Sequence, residues 1–511
     1  MPAGAEVNFF CVLRFSICIG SRAFVYPNKC IADQPRRGAG SGRGTPARIL
    51  KYPPKRRNGK ASTNMITLKF GGTSVGNAER IRQVCQIVKS ELTRKPIVVV
   101  SAHNSPSVHM TDALVATARA AREGKADTTK VQEAQRGICR DLGVDAEAVG
   151  IERLLERFDQ LIKGIAMIGE LTPRTMDVVM SFGERMSGRV VNDVLRREFG
   201  VDSIYRSSVS LGLRTDANFG AAHPDPRSFP AVAKQIEDLN PDVLVTTGFI
   251  AATDDGQITT LGRGGSDYSG TIFGAITGSE EVQIWTDVSG VMTTDPRIVD
   301  GARSIPELTF MEASELAWYG AKVLHPATMI PAMENDIPVR VKNTSDPGHP
   351  GTVIRRSVVE AAGSPVAKSV AVLNGVQLIT ITTGRMFGAH GFMSKVFDVF
   401  NRNGVDIHMI ATSEVSISVT TPKGQHVEKA AEQIKEFADV AVDRDMSLIS
   451  VVGEKMKGTP GVAARVTGAM ARSGVSIRMI SQGATEINIA LLVRENQVKR
   501  AVRELHKEMF E

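Results

Sequence analysis

Cysteine is scarce: the 511 residues contain five. Cys11, Cys18 and Cys30 lie in the first 64 residues, which leaves Cys85 and Cys139 for all the rest. An odd total without paired metal-type spacing points to a reducing compartment and against a zinc site. Long apolar runs are missing too. The best buried stretch, PIVVVSA at 96–102, is far too short to cross a bilayer, so no membrane partner is expected. The glycine-dense stretch LGRGGSDYSG at 261–270 is neither a P-loop nor the dinucleotide G-x-G-x-x-G pattern. Basic charge is also absent where a nucleic-acid binder needs it. The pI is about 9.1, but residues 1–64 carry twelve Lys and Arg against Glu6 and Asp33. That segment is +10 and the whole chain +7, so residues 65–511 are −3 and no nucleic-acid partner is expected.

The length gives room for two to four domains. Residues 1–64 are Arg-rich, acid-poor and dense in Gly and Pro (RRGAGSGRGTPAR, 36–48), with no sustained period. They read as a disordered extension without chemistry. One origin is an organelle transit peptide, which would make the protein plastidic. The favoured origin is an over-extended start with initiation at Met65, directly before the first strand, which leaves the protein cytoplasmic.

From Met65 onward apolar strands run into glycine loops. MITLKF (65–70) ends at Gly71-Gly72; a helix follows with Asn77 as cap and Ile81, Val84, Val88 and Leu92 on one face. IVVVSA, DVLVTTGFI (242–250) and VQIWTD (282–287) read as further buried strands. Alternating strands and helices predict an α/β domain with a largely parallel sheet, whose ligands sit beyond the carboxyl ends of its strands.

The unusual loops fall there. In KFGGTSV (69–75), Gly71 and Gly72 let backbone approach a ligand, Thr73 and Ser74 add hydroxyls ahead of a helix N-terminus, and Lys69 adds a point charge. The bland reading is a strand-to-helix turn with a surface lysine. In LGRGGSDYSG, Gly262, Gly264 and Gly265 allow a tight fold around a small polar molecule, Arg263 can grip a carboxylate, and Asp267 can order Lys69. Its bland reading is a turn whose Arg and Asp pair together. SFGERMSGR (181–189) places Glu184 at a helix start, where an acid usually caps or faces solvent. YGAKVLHPATM (319–329) adds Lys322, on most helices a surface residue.

These blocks, with WTDVSGVMTTDPR (285–297) and VKNTSDP (341–347), occur in the order and spacing of aspartokinases, which residues 65–511 resemble. The resemblance implies an amino-acid-kinase fold followed by two ferredoxin-like βαββαβ ACT domains. It implies ATP-dependent phosphorylation of the L-aspartate side chain, the entry to lysine, threonine, methionine and diaminopimelate synthesis. Carried over by motif, Lys69, Gly71, Gly72, Thr73 and Ser74 would cradle the phosphates of ATP with their bound Mg²⁺, and Asp267 would lie beside Lys69. Glu184 would hold the substrate ammonium and Arg263 its α-carboxylate, with Gly264, Gly265, Ser266 and Thr111 as further substrate contacts. Thr286, Asp287, Met292, Arg297 and Lys322 would line the nucleotide site; no metal is held by the protein itself. Three positions depart from the family: the loop SAHNSPSVHMTD (101–112) is long, Met292 stands where an aromatic is common, and Ala251 replaces a usual glycine.

Residues 391–419 and 461–491 repeat at a shift of 70, aligning Gly391 with Gly461, Val396 with Val466 and Met409-Ile410 with Met479-Ile480. Each copy reads as strand, helix, two strands, helix, like the tandem ACT domains of the family. The expected domains are 1–64, 65–357, 358–445 and 446–511. Ser413 and Glu414 at a turn, Phe392 and Met393 at a helix start, and Ile407 are the regulatory candidates, for lysine or threonine. His408 stands where lysine-sensitive members can carry an acid. Pairing of the repeats would make a homodimer or larger assembly. Rival readings are another carboxylate kinase of the same fold, such as a glutamate kinase, and an amino-acid sensor with a dead kinase domain.

Overall fold

The computed structural model describes residues 64–320, 324–359, 363–383 and 391–511. These fall into two compact units, one within Leu50–Met292 and Arg303–Ala362, the other within Thr293–Ala302 and Gly363–Glu511. The basic extension before residue 64 and Lys322 lie outside the described residues.

The larger unit contains β1 (Ile66–Phe70), β2 (Ile97–Val100), β3 (Ser203–Tyr205), β4 (Val243–Thr247), β5 (Ile250–Ala252), β6 (Ile258–Thr260), β7 (Glu281–Thr286), β8 (Glu307–Thr309), β9 (Val339–Asn343) and β10 (Thr352–Arg355). Eight of these form one sheet in the order β3-β4-β2-β1-β7-β9-β10-β8, and β5 pairs with β6 apart from it. Neighbours from β3 to β9 run parallel, and β10 reverses against β9. The central strands β1, β2 and β4 are buried throughout, as continuous apolar runs with helices on both faces must be. Because they are parallel, their carboxyl ends share one edge. There Gly71 N–H donates to Trp285 O at 3.0 Å, Ser101 N–H to Phe70 O at 3.1 Å, and Gly248 N–H to Val100 O at 2.9 Å.

The helix after β1, Ala78–Ser90, is capped by Asn77, whose side chain accepts from Arg80 N–H at 2.9 Å. The expected helix start at Glu184 needs correction. A single helix spans Pro173–Arg197, opened by Thr172 as cap and Pro173, and Glu184 sits in its middle. Gly183 and Gly188 look like breaks in the sequence, but they serve close approach. A Cβ on Gly183 would lie 2.6 Å from Ala102 Cβ, and one on Gly188 2.5 Å from Tyr205 Cε2. No described helix is long and apolar enough to cross a membrane.

The smaller unit contains β11 (Ser369–Thr382), β12 (Met409–Thr412), β13 (Ser416–Pro422), β14 (Asp439–Val452), β15 (Met479–Gln482) and β16 (Asn488–Arg494), in one sheet ordered β12-β13-β11-β14-β16-β15. The repeats do not divide cleanly at residue 445, because β14 runs through it. The first repeat closes with the start of β14, where Thr382↔Asp439 to Leu378↔Asp443 pair. Among the described residues no strand of the second repeat follows the helix Val498–Phe510. The place of such a strand beside β14 is taken by the beginning of β11, where Ser369↔Val452 to Leu373↔Leu448 pair. The cores agree: Val370 belongs with Ile449, Val451 and Leu491, whereas Ile379 and Ile381 belong with Phe400 and Val419.

The segment Thr293–Ala302 is also part of this unit. Thr293 O accepts from Val370 N–H at 2.8 Å, Thr294 Oγ1 donates to Val370 O at 2.9 Å, and Thr293 Oγ1 meets His506 Nε2 at 3.0 Å. Ile298 and Val299 pack on the second repeat's core.

Candidate active site

Lys69 is the fourth residue of β1 and only 7% exposed. An ammonium so buried needs an opposite charge. Asp267 supplies it, with Oδ1 2.5 Å from Nζ. The contact is ionic: Asp267 Oδ1 makes no aligned hydrogen bond. Asp267 stands in the first turn of the helix Gly265–Thr277, whose cap Gly264 is left-handed at φ 68°. Gly270 of that helix lets it lie on β1, since a Cβ there would sit 3.0 Å from Lys69 Cβ. A cation, an acid and a helix N-terminus thus meet at the end of β1, an arrangement suited to an anion.

Gly71 and Gly72 flank this point. A Cβ on Gly71 would lie 3.6 Å from Lys69 Nζ, and one on Gly72 2.7 Å from Ala102 O. The second glycine therefore permits contact with the protein's own backbone. Thr73 and Ser74 lie in a 3₁₀ turn, Gly72–Val75. The Ser74 hydroxyl is turned inward, 2.6 Å from Thr344 Oγ1, while Thr73 Oγ1 has no hydrogen-bond partner among the described residues. His103 Nδ1–H donates to Val75 O at 2.6 Å and pins the loop after β2 to this turn; burial pushes its pKa down to about 4, so the ring is neutral.

Glu184 is 3% exposed. Its Oε1 accepts from Ala102 N–H at 3.2 Å, and its Oε2 has no partner. Burial pushes the carboxyl up to about 8, with the Ala102 N–H and Lys69 pulling it down. A buried carboxylate oxygen without a donor is costly, and an ammonium is the group that would relieve it.

Arg263 sits between Gly262 (φ 73°) and Gly264. Burial depresses the pKa of the His325 imidazole, and the charge of Arg263 adds to that. Gly265 and Ser266 open the helix of Asp267, and Ser266 packs 2.9 Å from where a Cβ on Gly248 would be. Thr286 ends β7 and its hydroxyl donates to Asp287 Oδ1 at 3.1 Å; Asp287 is exposed. Met292 is the last residue of this stretch of the larger unit. Arg297 falls in the other unit, exposed and paired with Asp295 at 2.7 Å. Thr111 lies in the first turn of the helix Met110–Arg122, half-buried, and no described contact joins it to Lys69, Glu184 or Asp267. The structure thus brings together Lys69, Asp267, Gly71 and Gly72, and couples Glu184 to Lys69. The Ala102 N–H was not readable as a site group, because a backbone donor leaves no mark in sequence. Among the described residues no group of three or more His, Cys, Asp or Glu could hold a metal ion.

In the smaller unit Ser413 and Glu414 lie exposed in the turn between β12 and β13, with Ser413 Oγ 2.7 Å from Ser416 Oγ. Phe392 and Met393 open the helix Phe392–Arg402 behind Gly391 at φ 86°. Phe392 and Ile407 pack against the first repeat's core, and Met393 is partly exposed. In the second repeat Glu486, at φ 55°, accepts instead from Gly458 N–H at 2.7 Å.

Residues 64–343 match the model of the amino acid kinase family, and residues 379–436 and 449–509 match an ACT domain. The chain is 37% identical over 462 residues to "Aspartokinase 2, chloroplastic" of Arabidopsis thaliana, covering 87% of this chain and 84% of that protein. It is 33% identical over 464 residues to "Lysine-sensitive aspartokinase 3" of Escherichia coli strain K12, covering 88% and 100%. Among solved structures it resembles E. coli aspartokinase III in complex with aspartate and ADP (R-state) at a TM-score of 0.71 and 31% identity, covering 88% of this chain and 100% of that one. The same enzyme in complex with lysine and aspartate (T-state) also gives 0.71.

Proposed function

The chain belongs to the aspartokinases, and from that premise we propose how its residues divide the work of phosphorylating L-aspartate with ATP. The observation that carries the assignment is Glu184 Oε2, buried and without a partner. We assign it to the substrate ammonium, and Arg263 to the α-carboxylate, which a guanidinium can grip through two parallel bonds. The side-chain carboxylate is then the end left free to react.

That carboxylate needs no base, being ionised at neutral pH with an ordinary pKa of about 3.9. The work is alignment with the γ-phosphate and neutralisation of spreading negative charge. We assign the charge to Lys69, held by Asp267, and to the N–H groups at the start of the helix Gly265–Thr277. Thr73, whose hydroxyl is uncommitted, fits the phosphates better than Ser74, whose hydroxyl is taken by Thr344. Thr286, Asp287 and Met292 are assigned to the nucleotide. Mg²⁺ suits the hard oxygens of the polyphosphate and supplies charge neutralisation there. Glu414, Ser413 and Met393 are assigned to an inhibitory amino acid. Exposed Val415, in the turn before β13, and exposed Ile480 of β15 support pairing of two copies.

A hydroxamate assay with ATP, Mg²⁺ and a panel of amino acids tests the activity. Aspartate should be the preferred acceptor, and glutamate as the preferred acceptor would favour the rival kinase. Arg263→Ala should raise the KM for aspartate at least about tenfold with little change for ATP. The reverse pattern would overturn the division of the loop.

A further inference from the structure

Asp177 has no part in the assignment above. It precedes Glu184 by two turns of the helix Pro173–Arg197, about 10 Å along the axis and on nearly the same face. It is 0% exposed. Its Oδ2 accepts from Gly220 N–H at 2.9 Å and from Thr260 N–H at 2.9 Å, and its Oδ1 accepts from Thr260 Oγ1–H at 2.8 Å. Burial raises its pKa, and these donors pull it back.

Both partners lead to Arg263. Thr260 ends β6, three residues before it, and its carbonyl accepts from Ala222 N–H at 2.9 Å. Gly220 backs the same turn, since a Cβ on Gly262 would lie 3.2 Å from Gly220 O. The turn itself rests on two left-handed glycines, Gly262 and Gly264, which gain little rigidity from their own conformational preference. Asp177 therefore fastens both layers of the Arg263 turn to the helix that carries Glu184.

A free α-amino acid presents its ammonium and carboxylate at a fixed separation. The two groups that hold them must keep a matching distance, and a helix is a better gauge than a glycine loop. We propose that Asp177 is a positioning residue for the amino-acid substrate: it sets the distance between the ammonium anchor Glu184 and the carboxylate anchor Arg263. The inference rests on the assignment of those two anchors. It separates Asp177 from a merely stabilising residue, whose loss would affect both substrates alike.

The test uses the full chain and three variants. Asp177→Ala should raise the aspartate KM at least about tenfold and leave the ATP KM within about twofold. Asp177→Asn keeps one oxygen for the two amides and can donate to Thr260 Oγ1, so it should restore the aspartate KM to within about threefold. Thr260→Val, which removes one donor, should raise it by a few fold. Calorimetric titration of L-aspartate in the presence of Mg-ADP should give the same ranking. A folded Asp177→Ala protein with unchanged aspartate KM, or with both KM values raised together, would overturn the proposal. If that variant does not fold, an unchanged aspartate KM in Thr260→Val does so. A wild-type chain that neither binds nor phosphorylates aspartate overturns the assignment of the anchors, and the inference with it.

Discussion

Burial pushes the Glu184 carboxyl up to about 8 from an ordinary 4.5. In the ligand-free chain the folded state therefore keeps a proton that the unfolded state has already lost between those two values. Stability falls as pH rises through that window and stays low above it. An ammonium against Oε2 reverses the effect by favouring the ionised form. Glu184→Gln should consequently unfold at a higher temperature than the wild type at pH 8 when no substrate is present, and at a similar temperature below pH 4.5. In the wild type the aspartate KM should fall by about tenfold per pH unit on approach to pH 8 and level off above it. A KM independent of pH between 6 and 8 would place the ammonium elsewhere.

At the scale of elements, the sharing of β11 between the two repeats is the feature with a measurable consequence. Val370 is 1% and Ile379 0% exposed, nine residues apart on one strand but in different cores. Val370→Asp buries a charge in the second repeat and should cost more than about 3 kcal/mol there. Amide exchange should then accelerate in β16 and the second half of β14 while β13 keeps its protection; uniform acceleration would mean the repeats unfold as one. This sharing could not be read from the sequence. The repeat was legible because Gly391 and Gly461, and the Met-Ile pairs of β12 and β15, recur at one spacing. A missing strand leaves no such pattern, and its substitute lies nearly eighty residues before β14 closes. The parallel strands β1, β2, β4 and β7 were legible because a strand buried on both faces is simply apolar. The long helix of Glu184 was not, because Gly183 and Gly188 mimic breaks, and with it went the spacing that sets Asp177 and Glu184 on one face. Lys69 and Asp267 were readable from their glycine-rich settings, and the structure pairs them.

For the molecule as a whole the two repeats are unequal in one respect that bears on regulation. Glu486 is committed to Gly458 N–H, whereas Glu414 is exposed and has no partner among the described residues. The first repeat is thus the better candidate for an amino-acid effector, which would act by favouring an inactive state for which it has higher affinity. Titration with lysine and threonine, singly and together, should show inhibition, and Glu414→Ala should abolish it with uninhibited turnover intact. Full activity at millimolar levels of both would leave the repeats a purely structural task. The excursion Thr293–Ala302 bears on how the polypeptide comes apart. Cutting the backbone once between Arg355 and Gly363 severs the only peptide link to everything that follows. Yet the upstream fragment still carries a stretch whose Thr293 bonds His506 and whose Ile298 and Val299 pack against the downstream fragment's core. Limited proteolysis there should give two bands on a denaturing gel and one intact mass on a native column.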